Sequence, residues 1–297
     1  MPSPTRASAG LVVCVALWGS VFIGVHQLLP QLDPVQMVTL RFVIIAAVFA
    51  ALLLARPAWR PSIGRREWLV VLVAAIAAVP ASQLPIIDGQ RYLSPPIAAL
   101  VVTFAPAIAA VLAAVVQREP LGRRSISGFT LALAGVAMIV VLGVGSGAQV
   151  QASDPLRASV ALVSPVAWAV YTLLSKPLAL RHHPIGIVGA IMVVGAIAMA
   201  PLLPHALAGA RDLSAGGWAW LCFLAIGGSA APYVLWSISL QSLTVSRTAA
   251  FMYLVPVFAL LWMATLLGEP PSAVAIGGGV VVLAGVALTQ VRPRVQV

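Results

Sequence analysis

The sequence predicts an all-α integral membrane protein of ten transmembrane helices, built as two inverted five-helix repeats with both termini cytoplasmic. Three observations lead there. The 297 residues are 61% hydrophobic and only 8% charged, with a mean hydropathy of +1.06, whereas a water-soluble domain is about a quarter charged. The chain matches itself at one constant offset, and its basic residues collect in loops that alternate along it. The apolar runs are continuous, which excludes the alternating polarity of an outer-membrane barrel. The net charge of +10, from 17 Lys+Arg against 7 Asp+Glu, sits in short loops and forms no basic stripe, so no nucleic-acid partner is expected.

Taken in order, the spans are expected at 8–29, 35–55, 68–90, 95–117 and 125–144, then at 157–176, 185–204, 217–240, 245–267 and 273–291. The first run follows Arg6, is too long for a leader peptide, and lacks a convincing cleavage site. A Pro/Gln/Asp turn separates it from the second, and an Arg-rich hairpin separates the second from the third. Later turns are very short until a Gly/Ser-rich loop from Gly143 to Asp154, which divides the chain into halves at 1–147 and 148–297. Cys14 and Cys222 both lie inside apolar stretches, so neither a disulfide framework nor a zinc site is expected.

A shift of 150 residues pairs Trp18 with Trp168, Pro34 with Pro184, Trp68 with Trp218 and Pro106 with Pro256. It also lays Glu119-Pro120 on Glu269-Pro270, and Leu133-Ala134-Gly135-Val136-Ala137 on an identical run ending at Ala287. Matches of Trp, Pro and Glu at one offset signal a duplication. Five spans per copy force the second copy to enter from the opposite side, so the copies are inverted. The charges agree. The hairpin at 56–66 holds Arg56, Arg60, Arg65 and Arg66, and its counterpart only Arg211; the Glu119 loop holds three arginines and the Glu269 loop none. With the termini inside, thirteen of the 17 basic residues are cytoplasmic and three outside, and Arg41 is within a span.

These residues resemble the drug/metabolite transporter superfamily and, within it, the EamA-like permeases. The resemblance rests on Leu17-Trp18-Gly19-Ser20 in the first helix, Leu40-Arg41-Phe42 in the second, and Pro106 with Arg118-Glu119-Pro120 in the fourth. Pro256 with Gly268-Glu269-Pro270 repeats the last pattern, and the fifth helix carries a Leu-Ala-Gly-Val signature. The second copy departs from it, with Ala169-Val170-Tyr171 after Trp168 and Ile191 in the place of Arg41. The resemblance implies a multi-pass inner-membrane transporter that exports amino acids, other metabolites or drugs by alternating access. A small multidrug exporter of the superfamily exchanges protons on a carboxylate in its first helix; the first span here has none.

Polar residues deep in spans are costly and are the functional candidates. Arg41 has two readings: a clamp that snorkels outward or pairs with Asp33 or another helix end, or a cavity residue that attracts a carboxylate. Gln83, near the helix-interrupting Pro80 and Pro85, is a cavity candidate. Asp88 and Arg91 stand three apart, as a local ion pair or with Asp88 as a proton-coupling site. Glu119 and Glu269, each followed by Pro, are read as caps or braces of the next helix. Trp18 and Trp168 are mid-span repeat mates, and with Tyr171, Tyr233, Trp236 and Tyr253 they offer flat cavity walls or plain packing.

Trp59, Trp68, Trp218 and Trp220 fall at span ends as interface anchors. The glycines of the fifth and tenth helices offer a packing or homodimer face. Gly143-x-Gly145-x-Gly147 lacks the lysine of a phosphate loop. No His-Glu-x-x-His or Walker motif occurs, so neither enzyme chemistry, a metal, nor a cofactor is expected; the partners are a small-molecule substrate and the lipid bilayer.

Overall fold

In a computed structural model that describes residues 3–93, 95–139, 159–268 and 271–290, every regular element is helical. The first half holds α1 (Pro4–Leu28), α2 (Pro34–Ala55), α3 (Arg65–Ala78), α4 (Pro80–Gly89), α5 (Pro95–Val102), α6 (Ala105–Val116) and α7 (Arg123–Ala137). The second holds α8 (Val163–Arg181), α9 (Pro184–Ala198), α10 (Leu203–Arg211), α11 (Ala215–Ala225), α12 (Ala231–Leu240), α13 (Val245–Ala250), α14 (Val255–Trp262) and α15 (Ala273–Gln290). Among the described residues seven helices are long and apolar enough to cross a membrane, and eight if one bent pair is a single span; Leu100–Val116 is a shorter apolar helix. This is a multi-pass membrane protein.

Local sequence sets the helix starts. Ser3 and Thr244 accept the backbone N–H of Arg6 and Arg247, and Pro4 sits at a first-turn position where no N–H is missed. Asp33 caps α2 in a reciprocal box with Gln36, its Oδ1 accepting the Gln36 N–H at 2.9 Å.

Proline sets the breaks, and they recur 150 residues apart. The third span fractures at Val79 (φ −107°, ψ −84°) just before Pro80, and its counterpart passes through a π-helical turn at Ile226–Ala230 before Pro232. The fourth is interrupted at Thr103 and Phe104 before Pro106, and its counterpart by a 3-10 turn at Phe251–Leu254 before Pro256. A proline lacks the N–H and crowds the carbonyl four residues back, so the preceding turn loses its ladder bond.

Two expected boundaries shift. The sixth span runs on to Arg181 rather than ending at Lys176: the helix continues through Pro177 and stops only at His182-His183-Pro184. The seventh is not one straight helix to Pro204: it bends by 49° between Pro184–Ala198 and Ala200–Arg211, where Pro201 and Pro204 fall. The fifth is described only to Ile139; its tail, the Gly143–Asp154 loop, Glu269 and the last two arginines lie outside the described residues.

The small-residue helices α7 and α15 pack on each other, as do α2 and α9. A methyl group at Gly135 would sit 2.7 Å from the Gly278 carbonyl oxygen, so glycine is what lets α7 and α15 touch backbone to backbone. That stripe is therefore used inside the chain.

The bundle has two unlike ends. At one, Glu67 pairs with Arg181 at 2.9 Å and with His182 at 3.2 Å, and the Trp59 ring stacks on His183 at 5.3 Å. Ser239 Oγ donates to the Ala7 carbonyl at 3.1 Å and Gln290 Nε2 to that of Arg247 at 3.2 Å, so the first and last described helices meet this arginine-rich end. At the other end Asp33 pairs with His205 at 2.7 Å, and Ser214 Oγ donates to Gln31 at 2.7 Å.

Candidate functional site

A cavity of about 100 Å³ lies among α1, α2, α4, α5, α8 and α12 and the turn and helix around Met252 and Val255. It has room for a cluster of waters or a small organic molecule. Helical periodicity builds its walls: Trp18, Val21, Phe22 and Val25 form one stripe of α1, and Gln83, Ile86, Ile87 and Gln90 one stripe of α4. Ser164 and Trp168, four apart on α8, face it from the second half, with Tyr233 on α12.

Arg41 lines the cavity and is only 3% exposed. Its Nε donates to Ser229 Oγ at 2.8 Å, one terminal nitrogen donates to the same hydroxyl, and weaker 3.4 Å contacts reach the Gly228 carbonyl and Gln83 Oε1. The π-helical turn is what turns Gly228 and Ser229 towards it. The expected Asp33 partner is taken by His205. Among the described residues no carboxylate pairs with Arg41, because Glu67, Asp88 and Glu119 are paired elsewhere.

The aromatic residues gather as the sequence suggested, but only some meet the cavity. Trp18 and Trp168 stand edge to face with ring centres 5.1 Å apart, and Tyr233 lies 5.3 Å from Trp168. Trp236 packs 5.2 Å from Trp18, and Tyr171 5.0 Å from Trp168. Tyr171, Trp236 and Tyr253 are not lining residues: each is fully buried, Tyr171 and Trp236 three residues on from the lining Trp168 and Tyr233, and Tyr253 against Phe129. Asp88 is likewise outside the cavity, half-exposed beside Arg91 at 3.8 Å, which removes the geometric ground for it as a coupling carboxylate there. Ser82, Gln90 and Ser164 also line the wall, and none of them is expected from the sequence as a site residue. Their signal was spacing: Ser82 adjoins Gln83, Gln90 lies two turns beyond Gln83 on the same face, and Ser164 stands four residues before Trp168.

Below the aromatic floor, towards the arginine-rich end, the bundle is clamped. Glu119, in the loop after α6, accepts the Lys176 ammonium at 3.1 Å, the Val245 N–H at 2.9 Å, and both the N–H and hydroxyl of Ser246. Lys176 also donates to the Leu243 carbonyl at 3.0 Å. Glu119 therefore caps a helix of the other half rather than the one that follows it, contrary to expectation. Burial pushes its carboxyl up, but the Val245 N–H, the Lys176 charge and the Ser246 N–H outweigh that and hold it below the ordinary carboxylate value. Arg118, next to it, is left-handed at φ 54°, and Gly268, 150 residues on, is left-handed at φ 70°.

The sequence model of the EamA-like transporter family matches residues 6–141 and again 156–291. The chain belongs to the EamA-like transporter family. Among its relatives, an uncharacterized transporter of Archaeoglobus fulgidus is 29% identical over 96% of this chain and 98% of its own. A probable terminal-alkyne amino-acid exporter of Streptantibioticus cattleyicolor is 27% identical over 97% and 94%. A probable amino-acid metabolite efflux pump of Salmonella typhimurium is 25% identical over 92% and 91%. A crystal structure sharing 20% identity superposes with a TM-score of 0.78 over 96% of both chains and shares the fold. In this EamA-like transporter Trp18-Gly19-Ser20 divides its labour. Trp18 faces the cavity, and Gly19 lets α1 close on α14, where a methyl group would sit 2.9 Å from the Ala259 nitrogen.

Proposed function

We propose that the chain is an inner-membrane exporter of small metabolites, amino acids or related amphipathic compounds, working by alternating access. Its two halves, 1–147 and 148–297, act as inverted repeats of five crossings each, with the arginine-rich end cytoplasmic. The recurrence of both helix breaks at one offset, the double family match and the positive-inside bias support that arrangement. The observation that carries the functional reading is the asymmetry around Trp168. On one side of it a polar and aromatic cavity runs to Gln90, and on the other side the path is closed by packed rings and the Glu119 clamp. In this orientation the state is outward-facing.

Two relatives named as amino-acid or amino-acid-metabolite exporters support the substrate range. A drug-efflux role on the same fold would suit a cavity without a buried cation, and Arg41 favours a metabolite. Uptake of a labelled amino-acid pool into proteoliposomes, with and without a pH gradient, tests the reading. Saturable movement of any member is expected; none moving under either condition rejects amino acids as the cargo.

A further inference from the structure

The charge inside the cavity is one-sided. Arg41 is the ionisable side chain on its wall that stays charged at every physiological pH, and among the described residues no lining residue is an acid. Its partners are a hydroxyl, a backbone carbonyl and an amide, all neutral. A guanidinium held this far inside a span without a counter-ion is expensive, and such groups mark ion or substrate pathways. The Trp168 ring lines the same cavity, while its indole N–H is buried behind that face and finds no partner among the described residues. The Tyr233 hydroxyl, by contrast, is committed to the Ala78 carbonyl at 3.0 Å. Among the described residues the wall thus offers a fixed cation beside flat aromatic faces, and no carboxylate to receive an ammonium.

We infer that the cavity selects net anions: monocarboxylates with an apolar or aromatic body, the carboxylate on Arg41 and the body against Trp18 and Trp168. This rests on the exporter reading and narrows it. A zwitterionic amino acid would bring its ammonium within a few bonds of the carboxylate, close to a buried cation with nothing to offset it. The driving force follows from the same charge. A monoanion leaving a cell with a negative interior gains about 50-fold in concentration ratio per 100 mV, so no coupling ion is required, and Asp88 lies outside the cavity.

Three probes with one phenyl ring separate the charge states: phenylpyruvate, phenylalanine and phenethylamine. Calorimetric titration of the purified full chain is expected to give binding of phenylpyruvate about tenfold or more tighter than phenylalanine, and none of phenethylamine. Arg41→Gln should weaken phenylpyruvate by about 30-fold or more, as for a truncated charge pair, and change phenylalanine less. Arg41→Lys keeps the charge and should keep the order, and thermal melts of both variants check the fold. In proteoliposomes, phenylpyruvate efflux should accelerate when a potassium diffusion potential makes the interior negative, and ignore a pH gradient.

Phenylalanine binding as tightly as phenylpyruvate, an Arg41→Gln protein that keeps the preference, or no binding of any probe would overturn the anion site. Saturable amino-acid transport without that preference would overturn it while leaving the exporter reading intact. Phenylpyruvate transport without any amino-acid transport would support it while rejecting amino acids as cargo.

Discussion

Helix α8 passes through two regions that differ in how they treat polar groups. From Ser164 to Trp168 it borders an open cavity whose charged residue, Arg41, is held by Ser229, Gly228 and Gln83. From Tyr171 to Lys176 it is packed shut, and there Thr172, Trp236, Ser237, Thr248 and Tyr253 bury hydroxyl or indole groups that find no partner among the described residues, whereas outside this region only Thr39 and Trp168 do the same. Each such group costs about 1–3 kcal/mol in a permanently dry core. On the alternating-access reading the contrast is intelligible. On that reading the closed half would carry the polar lining of the passage that opens when the clamp releases, and its cost would help to keep the two states close in energy.

The largest expected effect breaks the clamp. Glu119→Ala removes the ion pair to Lys176 and the caps on Val245 and Ser246, and losing one partner of a partly buried pair costs about 3 kcal/mol. That shifts the balance roughly 100-fold towards opening at the arginine-rich end. In a background without Cys14 and Cys222, a cysteine at Ser237 should then be labelled by a polar thiol reagent far faster than in the intact clamp. An unchanged rate would mean that the clamp does not hold the closed half shut.

Next in size is the coupling between Glu119 and Lys176. A double-mutant cycle with Lys176→Met, read by the same labelling rate, should give about 1–2 kcal/mol. The pH dependence has a definite sign. Because the folded Glu119 value lies below the ordinary carboxylate value, the clamp is fully present above about pH 4.5 and is lost only as pH falls through the lowered folded value. Labelling should therefore be flat across neutral pH and rise in acid; a rise near neutrality would contradict the assignment.

A smaller effect belongs to the loop that presents Glu119. Arg118 occupies a left-handed conformation where its repeat mate is Gly268, and an L side chain there costs about 1 kcal/mol. Arg118→Gly should raise the melting temperature by a few degrees without changing the labelling rate. The smallest is Asp88→Asn, which touches neither region and pairs only at a half-exposed site; transport should stay within about twofold of the parent.

Much of this was legible in the sequence because the informative residues are rare in such a chain. Trp, Pro and Glu repeating at 150 exposed the duplication, and the prolines marked the helix breaks. Arg41, Gln83, Trp18, Trp168 and Tyr233 stood out as polar or aromatic residues at mid-span, and all line the cavity. Tyr171 and Trp236 misled for a physical reason: each follows a lining aromatic by three residues, so the period gives its face but not the depth at which the cavity ends. The partners were illegible. Ser229 meets Arg41 from 188 residues away through a π-helical turn with no sequence signal, and Val245 meets Glu119 from 126 residues away.

The most direct test places spin labels at Gln27 and Arg91, either side of the cavity, and at Arg124 and Leu180 at the clamped end, and measures both distances by pulsed dipolar spectroscopy. With Glu119→Ala the first distance should shorten as the second lengthens. Two distances that stay fixed, or that move in the same direction, would contradict alternating access about this cavity.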